Sequence, residues 1–560
     1  MKVCFVFFNH PPTPFNSSVA ALSAVVRDAG HERSALSIPL TSTVREAAAR
    51  VDAERADIVA VTAMTRDWPA ARALLERLEP GPFRVVGGYH ASLAPRDVAA
   101  SSAVDAICVG DGERPLARIL EVLPSTSSAG LWVRGSDGFE GEPPGADPEP
   151  DIAALPAYDY DVFGDVGAIL DRGINTFGPL VDRYLPTRAS RGCPYRCAYC
   201  SAPTWGAVAG FASARRNVRP VDHLCDELAA LKERYAPEGF ELWDEHFPVD
   251  VAWLRELAEV YPRRVGLPFK VEMHPSAATR ERLELLAAAG CALFHCGVEA
   301  GDATLRRETL NRRTPDATLA RVFDDCRALG LETSASVMTA LPGETFAQAR
   351  ETVRLLRDLR PDSFMWSTYM ALPFTALGDR AIEAWPAPSR ERLDDYASPP
   401  TRLPSAMSDA ERALIHEELS ALQQELVTRA GAGRARPVAV PTDRRRSDPP
   451  APPPSVALDF ATDLASDLAT QLGFASPEAP LSERLRLKSA RFADGELVLE
   501  VESATVASHT LTIGPVDGRP SYVTNARLRF AHRGATASPE VLRALERLAG
   551  ALFELPPRED

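Results

Sequence analysis

Three cysteines share the run Arg191-Gly-Cys193-Pro-Tyr-Arg-Cys197-Ala-Tyr-Cys200. The CxxxCxxC spacing brings three thiolates to one loop, enough to hold three irons of a four-iron cubane and leave the fourth open to another ligand. Four cysteines would make an electron carrier; three make a reactive site. Half of a zinc site or a redox-active Cys-x-x-Cys pair are the plainer uses of such residues. No second CxxC follows downstream to complete a zinc tetrahedron, so the expected occupant is an iron–sulfur cluster, with Cys193, Cys197 and Cys200 as its ligands. The other cysteines, Cys4, Cys108, Cys225, Cys291, Cys296 and Cys326, read as buried small hydrophobes.

Elements that would position this loop are visible on both sides of it. Before it, apolar runs at Val3–Phe8, Ala35–Ile38, Asp57–Thr62, Phe83–Val86 and Ala106–Val109 alternate with helical patterns such as Ser17–Ala29 and Pro69–Leu78. This alternation predicts an α/β domain, a doubly wound parallel sheet covered by helices. Ligands of such sheets gather beyond the carboxyl ends of the strands. Those ends carry Asn9-His10-Pro-Pro, Thr62-Ala-Met-Thr65, Gly87-Gly88-Tyr89-His90 and Gly110-Asp-Gly112-Glu113, small groups that let a flat polar ligand approach the backbone.

From about residue 184 a second alternating block begins. Its predicted strands are Glu241–Trp243, Phe269–Met273, Leu293–Val298, Thr333–Met338 and Ser363–Tyr369, with helices such as Val221–Tyr235 and Thr345–Leu359 between them. A partial or full parallel (β/α) barrel is the natural closure for six such units.

The chain reads as residues 1–142 in a first domain, a Pro- and acid-rich linker over 143–183, and the barrel over 184–400. A helical extension follows over 401–430 and a flexible linker over 431–455. Residues 456–560 read as a small α+β module, with helices at Ala457–Leu472 and near Pro539–Phe553, a hairpin turning at Asp494-Gly495 and strands to Phe530. It carries no chemical signature, and a substrate-recognition module or a stabilising cap are its two readings.

A chain of 560 residues exceeds what one core supports, and 45% hydrophobic residues is ordinary for globular proteins. The net charge of -15 argues against a nucleic-acid partner held by phosphate neutralisation. Nine cysteines in so long a chain are no disulfide framework, and a labile cluster needs a reducing interior, so a cytoplasmic protein is expected. The apolar run Val3–Phe8 is too short for a membrane span, and no small-residue cleavage site follows it.

The second block resembles the radical S-adenosylmethionine (SAM) superfamily, and the first resembles the cobalamin-binding, flavodoxin-like domain that precedes it in the B12-dependent subfamily. CxxxCxxC with Tyr199 before the last cysteine carries the likeness, followed in order by Leu242-Trp-Asp244-Glu-His-Phe247, Cys296-Gly-Val-Glu299-Ala-Gly301 and Leu341-Pro-Gly343-Glu344-Thr345. In the first block Val86-Gly-Gly-Tyr-His-Ala-Ser92 and Val109-Gly-Asp-Gly-Glu113 carry it. The resemblance implies a 4Fe-4S cluster, SAM and cobalamin as cofactors. It assigns Glu299 to the polar groups of SAM and Arg312 to its carboxylate, the plain alternative for Arg312 being an exposed helix end. Asp244 would touch SAM or substrate, or else cap the helix starting near Asp250. Thr62, Thr65, Gly87, Gly88, Gly110 and Gly112 would line the corrin, and His90 the groove for its nucleotide tail. A DxHxxG sequence supplying a lower axial histidine is missing, Asp244-Glu-His246 only imitating its start in the wrong domain. Cobalamin would then bind base-off, with His10 a loop histidine.

By the same resemblance, one SAM would methylate cob(I)alamin, a second would yield a 5′-deoxyadenosyl radical at the cluster, and the substrate radical would take methyl from methylcobalamin onto an unactivated carbon. Cyclisation, ring contraction or rearrangement with the same cofactors is the second reading, and a non-catalytic cluster- or cobalamin-binding protein is a third of another class. The implied partners are a small-molecule or peptide substrate and an electron donor such as a flavodoxin or ferredoxin. Oligomeric state stays open.

Overall fold

The computed structural model describes residues 1–9, 15–39, 42–123, 127–141, 152–171, 183–208, 217–372, 374–384, 405–433, 486–493, 496–503 and 506–513. Met1–Ala435 form one compact unit and Arg436–Asp560 a second.

In the first unit the opening apolar runs become β1 (Lys2–Asn9), β2 (Glu32–Pro39), β3 (Ile58–Thr62), β4 (Phe83–Gly87) and β5 (Ala106–Cys108). They pair in parallel in the order β2-β1-β3-β4-β5, the flavodoxin-like arrangement with its switch point between β1 and β3. Successive residues of β1 face opposite ways: Cys4, Val6 and Phe8 join one core with Trp68 and Leu74, while Val3, Phe5 and Phe7 join another with Val19 and Ile119. Burial on both faces is why β1 is apolar throughout. Beyond β5 the sheet continues antiparallel through β6 (Leu131–Gly135) and β7 (Gly138–Glu140), a hairpin absent from the alternation pattern. Its turn was nevertheless written in the chain, since Asp137-Gly138 is a hairpin signal and Gly138 takes φ +115°.

Residues 152–171, read from composition as linker, are built into the core. Tyr158, Tyr160, Val166 and Leu170 pack with the barrel, and Phe163 meets Phe7 edge-on at 5.9 Å and Phe15 at 5.4 Å. Asp159 is almost fully buried beneath the first domain, accepting from Ser23 Oγ at 2.5 Å and from Arg33. Burial raises its carboxyl, but Arg33 and Ser23 outweigh that and hold it below the ordinary aspartate range.

The second block opens with β8 (Tyr184–Thr187) and a short antiparallel pair, β9 (Ser190–Arg191) with β10 (Asn217–Val218). Then come β11 (Gly239–Leu242), β12 (Phe269–Glu272), β13 (Cys291–Glu299), β14 (Glu332–Thr339) and β15 (Ser363–Thr368). The parallel order is β15-β14-β13-β12-β11-β8, and among the described residues its two edges do not meet, so the barrel is partial. Along β12, Phe269, Val271 and the following Met273 belong to the core shared with the helices. Alternation therefore turns Lys270, Glu272 and His274 inward. The helix Asp409–Gly433 covers the open edge, burying Ile415, Leu419 and Leu422, with Gln423 Nε2 donating to Phe364 O at 3.0 Å.

In the second unit β16 (Arg486–Ala493), β17 (Glu496–Ser503) and β18 (Val506–Ile513) form an antiparallel meander. Ala493 pairs with Glu496, as a hairpin at Asp494-Gly495 requires. The helices expected at 457–472 and 539–553, the tether beyond residue 433 and the strands toward Phe530 lie outside the described residues. No helix among the described residues is long and apolar enough to cross a membrane.

Candidate functional site

The cysteine loop follows β9 through Gly192, whose φ of +91° suits a residue without a side chain. Backbone bonds hold its middle: Ala198 N donates to Leu310 O at 2.9 Å, and Leu377 N donates to Ala198 O at 2.7 Å. Asn311 Nδ2 donates to Arg196 O at 2.8 Å. Asp244, beyond the end of β11, accepts from Ala189 N at 3.2 Å and Ser190 Oγ at 2.5 Å. Its observed work is to tie down the entry to the loop, and the helix cap proposed for it belongs to Asp250, which accepts from Trp253 N.

None of the three loop cysteines is in a disulfide, and all are half-buried. Cys197 Sγ accepts from Arg312 Nη1 at 3.5 Å, and Cys200 Sγ accepts from Ala202 N at 3.4 Å. Such N–H donors to sulfur favour thiolates that carry cluster charge. Among the described residues no three His, Cys, Asp or Glu side chains are arranged for a single ion. A cubane asks something else, since each sulfur meets its own corner iron, so the loop fits a cluster.

Glu299, Arg312 and Tyr199 come together beside these sulfurs. Glu299 ends β13 where the register with β14 shifts, and its φ is +70°. A non-glycine residue held in this region marks strain that the surroundings must sustain. Arg312 is buried rather than an exposed helix end: Nη2 donates to Gly297 O at 2.6 Å and Nη1 to Tyr199 Oη at 3.3 Å, while Glu299 Oε1 lies 3.9 Å from Nη1. Gly297 has no room for a side chain, because a Cβ there would stand 1.9 Å from Glu299 Oε1. Burial raises the Glu299 carboxyl, against the pull of Arg312 and Tyr199. Deeper in the barrel, Glu272 is pushed up to about 7 by burial and then by the charge of Glu299. His274 and His295 are driven down to about 2 and about 3 by burial and Arg312, so both imidazoles are neutral. His274 stacks on Tyr195 of the cysteine loop at 3.8 Å.

The carboxyl ends of β1, β3, β4 and β5 open onto a cavity of about 480 Å³ lined by Phe8, Thr62, Gly87, Gly88, Gly110 and Gly112. Arg188, Cys193, Tyr195 and Trp205 of the second block line the same cavity. Gly88 sits at φ +90°, and a Cβ there would stand 2.5 Å from Thr62 Oγ1. Ser92 Oγ joins the glycine turns, donating to Gly88 O and accepting from Gly110 N, both at 2.9 Å. A rim of backbone and small side chains fits a large flat ligand. Two of the residues expected to hold cobalamin are not part of this lining. His90 does not line the cavity, because its ring stacks on Trp68 at 5.2 Å with Nε2 3.0 Å from Asp97 Oδ2. Thr65 opens the short helical turn Thr65–Asp67 and also stays off the lining. No histidine among the described residues lines the cavity, and His10 lies outside them.

The family models match at this point: the radical SAM superfamily over residues 187–356 and the B12-binding domain over 11–120. The chain carries a B12-binding domain followed by a radical SAM domain. A radical SAM domain implies a 4Fe-4S cluster and SAM, and a B12-binding domain implies cobalamin. An anaerobic magnesium-protoporphyrin IX monomethyl ester cyclase of Cereibacter sphaeroides is 28% identical over 334 residues, which are 57% of this chain and 52% of that protein. This chain thus matches about half the length of that relative. The solved radical SAM methyltransferase TsrM of Kitasatospora setae, with tryptophan substrate and a SAM analogue bound, superposes at a TM-score of 0.54 with 22% identity, covering 68% of this chain and 76% of that one. A second structure of TsrM, holding cobalamin and a [4Fe-4S] cluster, gives 0.53 and 19% over 69% and 79%. At such identities the likeness is one of fold.

Five charged residues of the two domains were given no role by the sequence reading. Arg191, at the end of β9, makes a forked pair with Glu113 at 2.5 and 3.3 Å and lies 3.3 Å from Asp111. Arg188 pairs with Glu245 at 2.5 Å, and Glu245 also accepts from Gly192 N at 3.2 Å. The only signal was two arginines three apart ahead of the radical SAM cysteines, with acids in two distant strand-end loops.

Proposed function

We propose that the chain is a cobalamin-dependent radical SAM enzyme that methylates an unactivated carbon. The observation carrying this reading is a cavity lined both by the glycine-rich strand ends of the B12-binding domain and by Cys193 and Tyr195 of the cysteine loop. When bound, the cluster supplies an electron to SAM and the corrin supplies a methyl group. The chain's own residues do the rest. Cys193, Cys197 and Cys200 hold three irons. Arg312, oriented by Gly297 O and Tyr199, brings its positive charge to a carboxylate, Glu299 accepts from an amine or hydroxyl, and Tyr199 braces both. Substrate enters the polar inside of the barrel, where Glu272, His274 and His295 can hydrogen-bond it, and closure by both domains excludes water from a radical. A flavodoxin or ferredoxin is the expected electron source.

The test is anaerobic incubation of the reconstituted, reduced protein with methyl-deuterated SAM and cobalamin. S-adenosylhomocysteine, with deuterium carried onto the corrin and then into product, supports methylation. The second reading, ring formation or rearrangement, draws on the 28% identity to a cyclase. It predicts 5′-deoxyadenosine with an unlabelled product. Neither nucleoside product would leave only cofactor binding.

A further inference from the structure

We propose that Glu113 is a positioning residue that, through Arg191, locks the cysteine loop onto the corrin-side rim and so sets how the cluster and the cobalt face each other. Its purpose rests on the cofactor reading above; its geometry does not. Glu113 opens the helix Glu113–Glu121 of the first domain, and Arg191 stands two residues ahead of Cys193. Arg191 Nη2 lies 2.5 Å from Glu113 Oε1 and Nη1 lies 3.3 Å from Oε2, with Asp111 Oδ2 3.3 Å from Nη1. A forked pair fixes orientation as well as distance.

The two side chains are 14% and 6% exposed. Buried ion pairs seldom outdo apolar packing in stability, and their best-attested use is to set registry. That is the use here. A second contact clamps the other flank of the loop: Trp205, on the helix just after Cys200, packs on Tyr89 of the first domain at 4.7 Å. Glu245 holds the entry to the loop from the barrel side, accepting from Gly192 N and from Arg188. The cysteine loop is therefore gripped by the first domain on both sides of its sulfurs.

Hydrogen exchange of the full chain, free of cofactors, tests the lock. Glu113→Gln should speed exchange of the segment 188–200 by about tenfold while β1 and β3 stay unchanged, and Glu113→Asp, keeping the charge, should recover part of the protection. Arg191→Lys, which keeps the charge and loses the fork, should loosen the same segment if Glu113→Gln does not fold. In protein loaded with cluster and cob(II)alamin, the reduced cluster should speed cobalt spin relaxation in the parent and less so in Glu113→Gln at equal iron and cobalamin content. Unchanged exchange in Glu113→Gln and Arg191→Lys overturns the proposal, as does cobalt relaxation equal to the parent's. Failure of the parent to take up cluster or cobalamin would sink the cofactor reading instead, and the exchange measurement would still decide the lock.

Discussion

The two rims that meet at the central cavity are made of different material. The B12-binding rim carries the small groups Thr62, Gly87, Gly88, Gly110 and Gly112, whereas the radical SAM rim carries Arg188, Arg191, Cys193 and Glu245, with Cys197, Glu299 and Arg312 joined to one another behind it. One suits recognition by shape over a broad face, the other recognition by point charges and metal bonds. Shape needs an absence of side chains, and charge needs side chains held in place, as Glu245 is by Arg188 and Gly192 N. Damage to each rim should therefore be separable.

The largest separation comes from the cysteines. Cys193→Ala, Cys197→Ala or Cys200→Ala should each abolish the iron–sulfur absorption and lower bound iron and sulfide to near background, with cobalamin uptake retained. A full complement of iron in any one of them would show that its sulfur is no ligand. Gly88→Ala is the converse: its Cβ would press on Thr62 Oγ1 at 2.5 Å in a backbone region worth about 1–3 kcal/mol of strain. Cobalamin affinity should fall by about tenfold or more while the cluster still assembles. Loss of both cofactors together would dissolve the comparison.

A smaller effect is expected behind the charged rim. Arg312→Lys keeps the charge but loses the fork to Tyr199 and Gly297, so SAM should bind about tenfold more weakly by calorimetry, the cluster staying intact. Equal affinity would mean that Arg312 serves only the fold. The last effect lies outside both rims and touches neither cofactor. Asp159 is held below its ordinary pKa by Arg33 and Ser23, so its stabilisation is complete above the unfolded value of about 3.9 and disappears as pH falls through the lower folded one. Asp159→Asn should therefore melt earlier than the parent at neutral pH, by about 2 kcal/mol in stability, and the gap should close as pH drops below about 4. A gap independent of pH would leave the buried carboxylate without a role in joining the first domain to the barrel.

Much of the architecture was legible because it rests on local patterns. The helix Val221–Tyr235 has the bounds that its apolar spacing predicts, and β1, apolar on both faces, could be nothing but a central strand. Where reading failed, tertiary contacts had overruled composition. The Pro- and acid-rich stretch before the barrel resembles a linker until Tyr158, Tyr160 and Leu170 are seen in the core. His90 resembles a groove-lining residue, and its ring stacks on Trp68 instead of facing the cavity. Glu113 resembles a polar tip in a glycine turn, and its partner lies 78 residues away.

The cysteine triad, the succession of strands and helices along the chain and the glycine turns are properties of neighbours in the chain, so spacing alone determined them. Which charge meets which sulfur, which strand end faces which loop and which acid grips Arg191 are settled between residues far apart in sequence. Those pairings depend on distance and burial in three dimensions, where electrostatic energies are decided, and only the folded chain supplies them.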